Sequence, residues 1–180
     1  MMRVRDHIAL STTGAALLHR CLDRGALGFW AGSVLVDVDH YLWFGVRERR
    51  WNPRAAMRFF NEAHPPQHPA TRALHNPVAP LALVVLGIRR PVLLTVALGM
   101  VLHLALDASH EARLDAARTV ALLRDDFACQ ACGRRSADVS THLRQQPWLL
   151  PSYKPQNLVS LCGPCHETAH AERGRAGSWS

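Results

Sequence analysis

Two Cys-x-x-Cys pairs stand in the last third of the chain, Cys129 with Cys132 and Cys162 with Cys165. Each pair presents two sulfurs to one ion, and four thiolates bind zinc in a tetrahedral arrangement. The spacing therefore predicts one structural Zn²⁺ site, whose binding energy contributes to folding. Free thiols or disulfides are the alternative interpretations of the same four residues.

Three histidines and an asparagine surround these cysteines and indicate a separate centre, because zinc with four thiolates has no coordination position left. His166 and His170 are four residues apart, so on a helix they share a face and suit two ligands of one divalent cation. His142 can take up a proton near neutral pH, and the amide of Asn157 can hold a base or a loop by hydrogen bonds. Two alternatives stay open. The two histidines only cap a helix end, where a positive charge is favourable, or one of them replaces a thiolate ligand of the zinc.

The region 122–173 resembles the HNH nucleases of the ββα-metal type. The segment Leu123–Gly133 is similar to the family's entry into its first cysteine pair, and Asn157–His170 is similar to its exit. The family's order of His, Asn and His is matched by His142, Asn157 and His166. The resemblance implies a small domain of two short strands and a helix over residues 125–180.

The resemblance also assigns roles. It implies that His142 is the general base, that Asn157 positions it, and that His166 with His170 binds a catalytic divalent cation, either Mg²⁺, Mn²⁺, Ni²⁺ or Zn²⁺. The implied reaction is hydrolysis of phosphodiester bonds in DNA. One position departs from the family, since Thr141 stands where an Asp or His ligand usually precedes the base. A hydroxyl is a poor ligand for a transition metal, so the cation has fewer protein ligands or the site is weak.

Secondary structure in this region is expected as one strand near 137–142 and a helix from residue 162 or 163 to 172. Upstream, residues 1–110 are apolar and show no alternation typical of strands. Their pattern predicts a bundle of helices, with the last one continuing as a polar connector over 111–124. The expected helices are 5–24, 26–46, 53–63, 77–88 and 91–123. The predicted fold is therefore mainly α, a helical bundle followed by a small ββα-metal domain.

Two local signals support this reading of the N-terminal part. Asn52 suits a helix cap before Pro53, and the consecutive prolines of His64–Pro69 require a loop. Cys21 lies in an apolar helical stretch and is expected in the core.

Histidines and aspartates interrupt these apolar helices. Buried carboxylates are costly unless they are paired or bind a metal, so the residues predict a second metal site. The alternatives are buried hydrogen-bonded pairs or solvent-facing positions on amphipathic helices. The candidate residues are His7, Asp37, Asp39, His40, His75, His103 and Asp107. They carry a looser resemblance to the bacterial membrane-bound metal-dependent hydrolases, whose fuller motifs are not intact here.

The composition of the chain indicates which partners it can bind. The formal net charge is +7 over 180 residues, which favours a phosphate polymer such as DNA, although the basic excess is spread along the chain. No motif indicates a small-molecule organic cofactor, and no signal peptide opens the chain. The run Pro91–Leu106 falls short of the roughly 20 apolar residues that span a bilayer. We therefore expect a cytoplasmic protein, with membrane contact through the N-terminal part as an alternative.

Three hypotheses follow. The first is a metal-dependent HNH endonuclease acting on DNA. The second is a metal-dependent hydrolase that works through the N-terminal His/Asp cluster, with the zinc module serving only for binding or structure. The third is a catalytically inert zinc module.

Overall fold

The computed structural model describes residues 2–62, 73–145, 147–150 and 152–176. They form two compact units, residues 1–110 and 111–180. The structure is mostly helical, with a small antiparallel sheet, a following helix and a group of four cysteines near the C-terminus. The predicted fold class is thus confirmed.

The N-terminal unit is built from helices. Asn52 caps the fourth of them, because its Oδ1 accepts the N–H groups of Arg54 and Ala55 at 2.9 and 3.2 Å. The cap predicted from the sequence is confirmed, whereas the predicted loop over 64–69 lies outside the described residues. The helices are α1 (Val4–Leu22), α2 (Gly25–Val34), α3 (Val38–Glu48), α4 (Pro53–Glu62), α5 (Val78–Gly87) and α6 (Pro91–Arg124), which continues into the second unit.

The predicted single helix over 26–46 is wrong, because a 3₁₀ turn at Leu35–Asp37 separates α2 from α3. In one continuous α-helix, Asp37 and Asp39 would point about 200° apart around the axis. The turn changes this geometry, and both carboxylates contact the same imidazole, that of His75. The break in the helix therefore serves to bring two acidic side chains to one place.

Helices α2 and α6 approach each other closely through two glycines. A side chain at Gly32 would collide with the Val96 carbonyl, and one at Gly99 would collide with the Phe29 carbonyl. This contact lies one turn from the site where His103 Nδ1 meets the Ser33 carbonyl at 2.8 Å. The glycines thus set the helix spacing that this hydrogen bond requires.

Helix α6 is, among the described ranges, the one helix long and apolar enough by length and composition to cross a membrane. Only 22% of its apolar stretch is buried within the structure. The preceding helix α5 also exposes large apolar side chains, among them Val85 and Leu86. A core helix of a soluble protein passes the same test of length, so α6 alone is weak evidence of membrane association.

The C-terminal unit contains the sheet and the last helix. Strands β1 (Ser140–Leu143) and β2 (Leu158–Leu161) pair in antiparallel fashion, with His142 opposite Val159. Helix α7 (Gly163–Ala176) follows β2 directly. The predicted helix begins where expected, and the strand begins three residues later than the expected range 137–142.

The segment 111–124 is more than a solvated connector. Ala117 and Ala121 are buried against Leu158, with Leu143 packed beside them. The end of α6 is also tied to β2, since Arg124 donates to the Leu158 carbonyl at 3.0 Å. The last turns of α6 therefore form part of the core that supports β1 and β2.

Candidate metal centres

Four cysteines of the C-terminal unit lie together. The sulfurs of Cys129, Cys132, Cys162 and Cys165 are all within 4.8 Å of one another, and those of Cys132 and Cys162 are 3.6 Å apart. The edge of a tetrahedron around zinc is about 3.8 Å for a Zn–S distance of about 2.3 Å. All four are free thiols, so the group fits a single metal ion rather than disulfides.

The surroundings shift two of these thiols in opposite directions, since hydrogen bonds with Cys162, Cys129 and Cys132 raise the pKa of Cys165 to about 12. Burial raises the pKa of Cys129, but backbone N–H groups of Cys162, Cys132 and Ala131 outweigh burial and bring it down to about 6. Gly133 closes the first turn with a φ of 75°, a conformation that favours glycine. The second pair differs, because its Gly163 is the first residue of α7.

The fifth cysteine is placed elsewhere. Cys21 on α1 is exposed, so its predicted place in the core is wrong. The helix α1 buries a different set of residues, Asp6, His7 and Ser11.

Three imidazoles converge beside the cysteines. The rings of His142 and His166 have centroids 5.0 Å apart, and the ring of His170 lies 4.8 Å from both. Each offers a nitrogen within 4.8 Å of the others, so the group could hold a metal ion. His142 comes from β1, whereas the other two come from successive turns of α7. The sheet and helix together therefore create the cluster.

Side chains that the sequence did not single out hold α7 and its histidines in place. The hydroxyl of Ser140 lies 2.9 Å from Nδ1 of His166 and so restrains the orientation of that ring. Asp138 accepts the N–H of Gly163 at 2.8 Å and so caps the first turn of α7. Asp138 precedes β1 and Ser140 is its first residue, and only the fold reveals their partners.

Asn157 clamps the loop that follows β1. Its Oδ1 accepts the N–H of Gln145 at 2.9 Å, and its Nδ2 donates to the Gln145 carbonyl at 2.7 Å. The Asn157 carbonyl also accepts the N–H of Arg144 at 2.7 Å. Of the two uses of the amide expected from the sequence, holding a loop is the one recorded by these contacts.

Thr141 occupies the strand position between Ser140 and His142. Successive side chains of a strand point to opposite faces, so Thr141 projects away from the face that carries His142.

The N-terminal unit gathers a second group of metal-binding residue types. Nδ1 of His75 is 3.3 Å from Asp39, and Nε2 of the same ring is 3.2 Å from Asp37. The seven residues predicted for this site all take part in the group, namely His7, Asp37, Asp39, His40, His75, His103 and Asp107. The group could hold a metal ion such as zinc.

Electrostatics in this second group are dominated by the carboxylates. Burial lowers the pKa of His75, but the nearby carboxylates of Asp37 and Asp39 outweigh burial and raise it to about 9. Burial raises the pKa of Asp39, yet hydrogen bonds from His40 and His75 hold it well below its usual range. The pocket therefore favours positive charge next to these acids.

Comparison with known proteins identified no relative of this chain. No family model matches the chain, and no curated protein or solved structure matches it either. The resemblance to HNH nucleases therefore rests on the residues themselves and on their arrangement, a four-cysteine group beside a two-stranded sheet and a helix.

Proposed function

We propose that the C-terminal unit is a metal-dependent HNH endonuclease that hydrolyses phosphodiester bonds in DNA. The observation that carries the proposal is the convergence of His142, His166 and His170 on one point beside the four cysteines. Hydrolysis of a phosphodiester needs a base for water and a cation for the phosphate, and this set supplies both kinds of group.

The roles follow from where each side chain sits. His166 and His170 project from one face of α7 and hold the cation, and Ser140 fixes the ring of His166. A divalent cation bound there neutralises charge on the phosphate and so favours attack at phosphorus. His142 is buried on the strand opposite these ligands and accepts the proton of the attacking water. Asn157 holds the chain that follows His142, which restrains the base.

Binding of DNA is supported by exposed cationic side chains in the same unit. Arg144 lies two residues after His142 and is exposed, as are Arg134 and Arg135 in the turn after the first cysteine pair. Guanidinium groups bind phosphate oxygens in bidentate fashion, so these residues suit the DNA backbone. Their contribution weakens as the salt concentration rises.

Replacement of the base tests the proposal. We expect His142→Ala to slow plasmid nicking by about 10²–10⁴-fold, because a positioned general base contributes that much to a rate. The cation should stay bound, since His166 and His170 are unchanged. Nicking rate and metal content are measured on the full chain at equal Mn²⁺ concentration.

The matched control is His19→Ala, because His19 is exposed on α1 and belongs to neither the four-cysteine group nor the three-histidine group. The control should nick DNA like the parent protein. Equal nicking by His142→Ala and the parent would contradict the proposal. Loss of the cation in His142→Ala would instead make His142 a ligand and overturn its role as base.

A further inference from the structure

Three donor atoms of the N-terminal unit, from Asp37, His103 and Asp107, lie within 4.0 Å of Nε2 of His75. Nε2 of His75 lies 3.1 Å from Nε2 of His103 and 3.2 Å from Oδ1 of Asp37. Nε2 of His103 lies 3.6 Å from the same Asp37 oxygen and 3.8 Å from Oδ2 of Asp107. The ligands of a tetrahedral metal are about 3.3 Å apart when each bond is about 2.0 Å. The observed separations surround that value.

Hydrogen bonds to the far side of each ring determine which nitrogen faces this point. Nδ1 of His103 meets the Ser33 carbonyl at 2.8 Å, and a carbonyl can only accept, so Nδ1 carries the proton. Nδ1 of His75 faces the carboxylate of Asp39 at 3.3 Å and donates in the same way. When both Nδ1 atoms donate outward, the two Nε2 atoms face each other across 3.1 Å. This contact is repulsive unless a cation or a proton lies between them.

The carboxylates of Asp37 and Asp107 give a second, independent reason to expect a cation at this point. Among the residues that the structure describes, no aligned hydrogen-bond donor reaches either buried carboxylate oxygen of Asp37. Asp107 differs, because its Oδ1 accepts the Met2 N–H at 2.7 Å and lies 3.1 Å from Nε2 of His7. That arrangement leaves Oδ2 of Asp107 directed at the two histidines. A buried carboxylate without a donor is costly, whereas a metal ion compensates it directly.

We propose that the N-terminal unit binds one zinc ion through Asp37, His75, His103 and Asp107, as a closed structural site. Four protein ligands complete the tetrahedral shell that zinc prefers, so no position is left for a substrate or a reactive water. The partners on the far side, Asp39 and the Ser33 carbonyl, orient the rings as outer partners of metal-binding histidines commonly do. The site joins the 3₁₀ turn before α3, the segment before α5 and helix α6.

This proposal is independent of the nuclease proposal, and it separates the N-terminal unit from hydrolase chemistry. A catalytic zinc keeps a coordination position open, whereas this donor set has none. The ion instead links segments distant in the sequence, from Asp37 to Asp107. Its binding energy then stabilises the fold of residues 1–110 in the way that structural zinc does elsewhere.

Zinc content of the full chain tests the site. The starting protein carries His166→Ala and His170→Ala, which remove two histidines of the C-terminal group. We expect it to retain about two zinc ions per chain after dialysis, one on the cysteines and one in the N-terminal unit. Adding His75→Gln should lower the content to about one ion. His40→Gln is the matched control and should retain both ions, because His40 contacts Asp39 but is none of the four ligands.

The closed shell is tested by cobalt substitution in the same proteins. The difference spectrum between the starting protein and His75→Gln should show the visible bands of tetrahedral cobalt, unchanged by added azide. One zinc ion in the starting protein would overturn the site, even if His75→Gln does not fold. Loss of zinc in His40→Gln would overturn the ligand set, and a spectral response to azide would overturn the closed shell.

Discussion

Replacing Cys162 with serine is expected to release the cysteine-bound zinc and unfold the C-terminal unit. Cys162 is buried, and its sulfur lies 3.6 Å from that of Cys132. Structural zinc sites bind with apparent free energies of about 10–16 kcal/mol. The free energy of unfolding of a whole domain is only about 5–15 kcal/mol. A small unit that loses this ion therefore has too little stability left to remain folded.

The effect is measured as zinc per chain together with thermal unfolding of the full-length protein. Zinc content should fall by about one ion per chain, and the transition of the C-terminal unit should disappear. The matched control is Cys21→Ser, an exposed position where the free energy of unfolding should change by less than about 0.5 kcal/mol. If Cys162→Ser keeps full zinc and a normal transition, the four-cysteine site is not built as described.

Replacing His166 with alanine is expected to have the largest effect on the catalytic cation. Loss of an outer partner of a metal ligand costs about 10–100-fold in affinity, so loss of the ligand itself should cost more than about 100-fold. Nicking at low Mn²⁺ concentration should fall accordingly and recover in part when more Mn²⁺ is added. The readout is the nicking rate as a function of metal concentration, with the cysteine-bound zinc checked in parallel.

A second substitution at the same ring separates ligand from support. Ser140→Ala removes only the hydroxyl that lies 2.9 Å from Nδ1 of His166. We expect Ser140→Ala to lower the affinity for the cation by about 10–100-fold, a smaller loss than that in His166→Ala. Identical metal dependence in His166→Ala and the parent protein would remove α7 from the proposed catalytic site.

The sequence predicted what depends on spacing and on strong local signals. Two cysteine pairs at fixed separation indicated a four-thiolate group, and the structure brings the four sulfurs together. Asn52 before a proline indicated a helix start, and its side chain caps α4. The i, i+4 spacing of His166 and His170 placed both on one face of a helix. Each of these signals lies within a few residues or in a recurrent pattern.

The parts that escaped prediction depend on contacts between distant segments. The Ser33 carbonyl that orients His103 is a backbone group, and a sequence gives no sign of which carbonyl will be used. Asp138 and Ser140 are ordinary polar residues until the fold places α7 beside them. The break between α2 and α3 was missed because apolar periodicity continues through Leu35–Asp37 while tertiary contacts determine the turn.

The most direct test of the nuclease proposal is nicking of supercoiled plasmid by the purified full-length protein. Mg²⁺, Mn²⁺, Ni²⁺ and Zn²⁺ are supplied in turn, and the cysteine-bound zinc is verified in each sample. If the C-terminal unit is a nuclease, we expect relaxed and linear DNA with at least one of these cations. The activity should disappear when a chelator removes the added cation. Absence of nicking with every cation, while the zinc and the fold are intact, would contradict the nuclease proposal. The C-terminal unit would then be a zinc module that serves only for binding or structure.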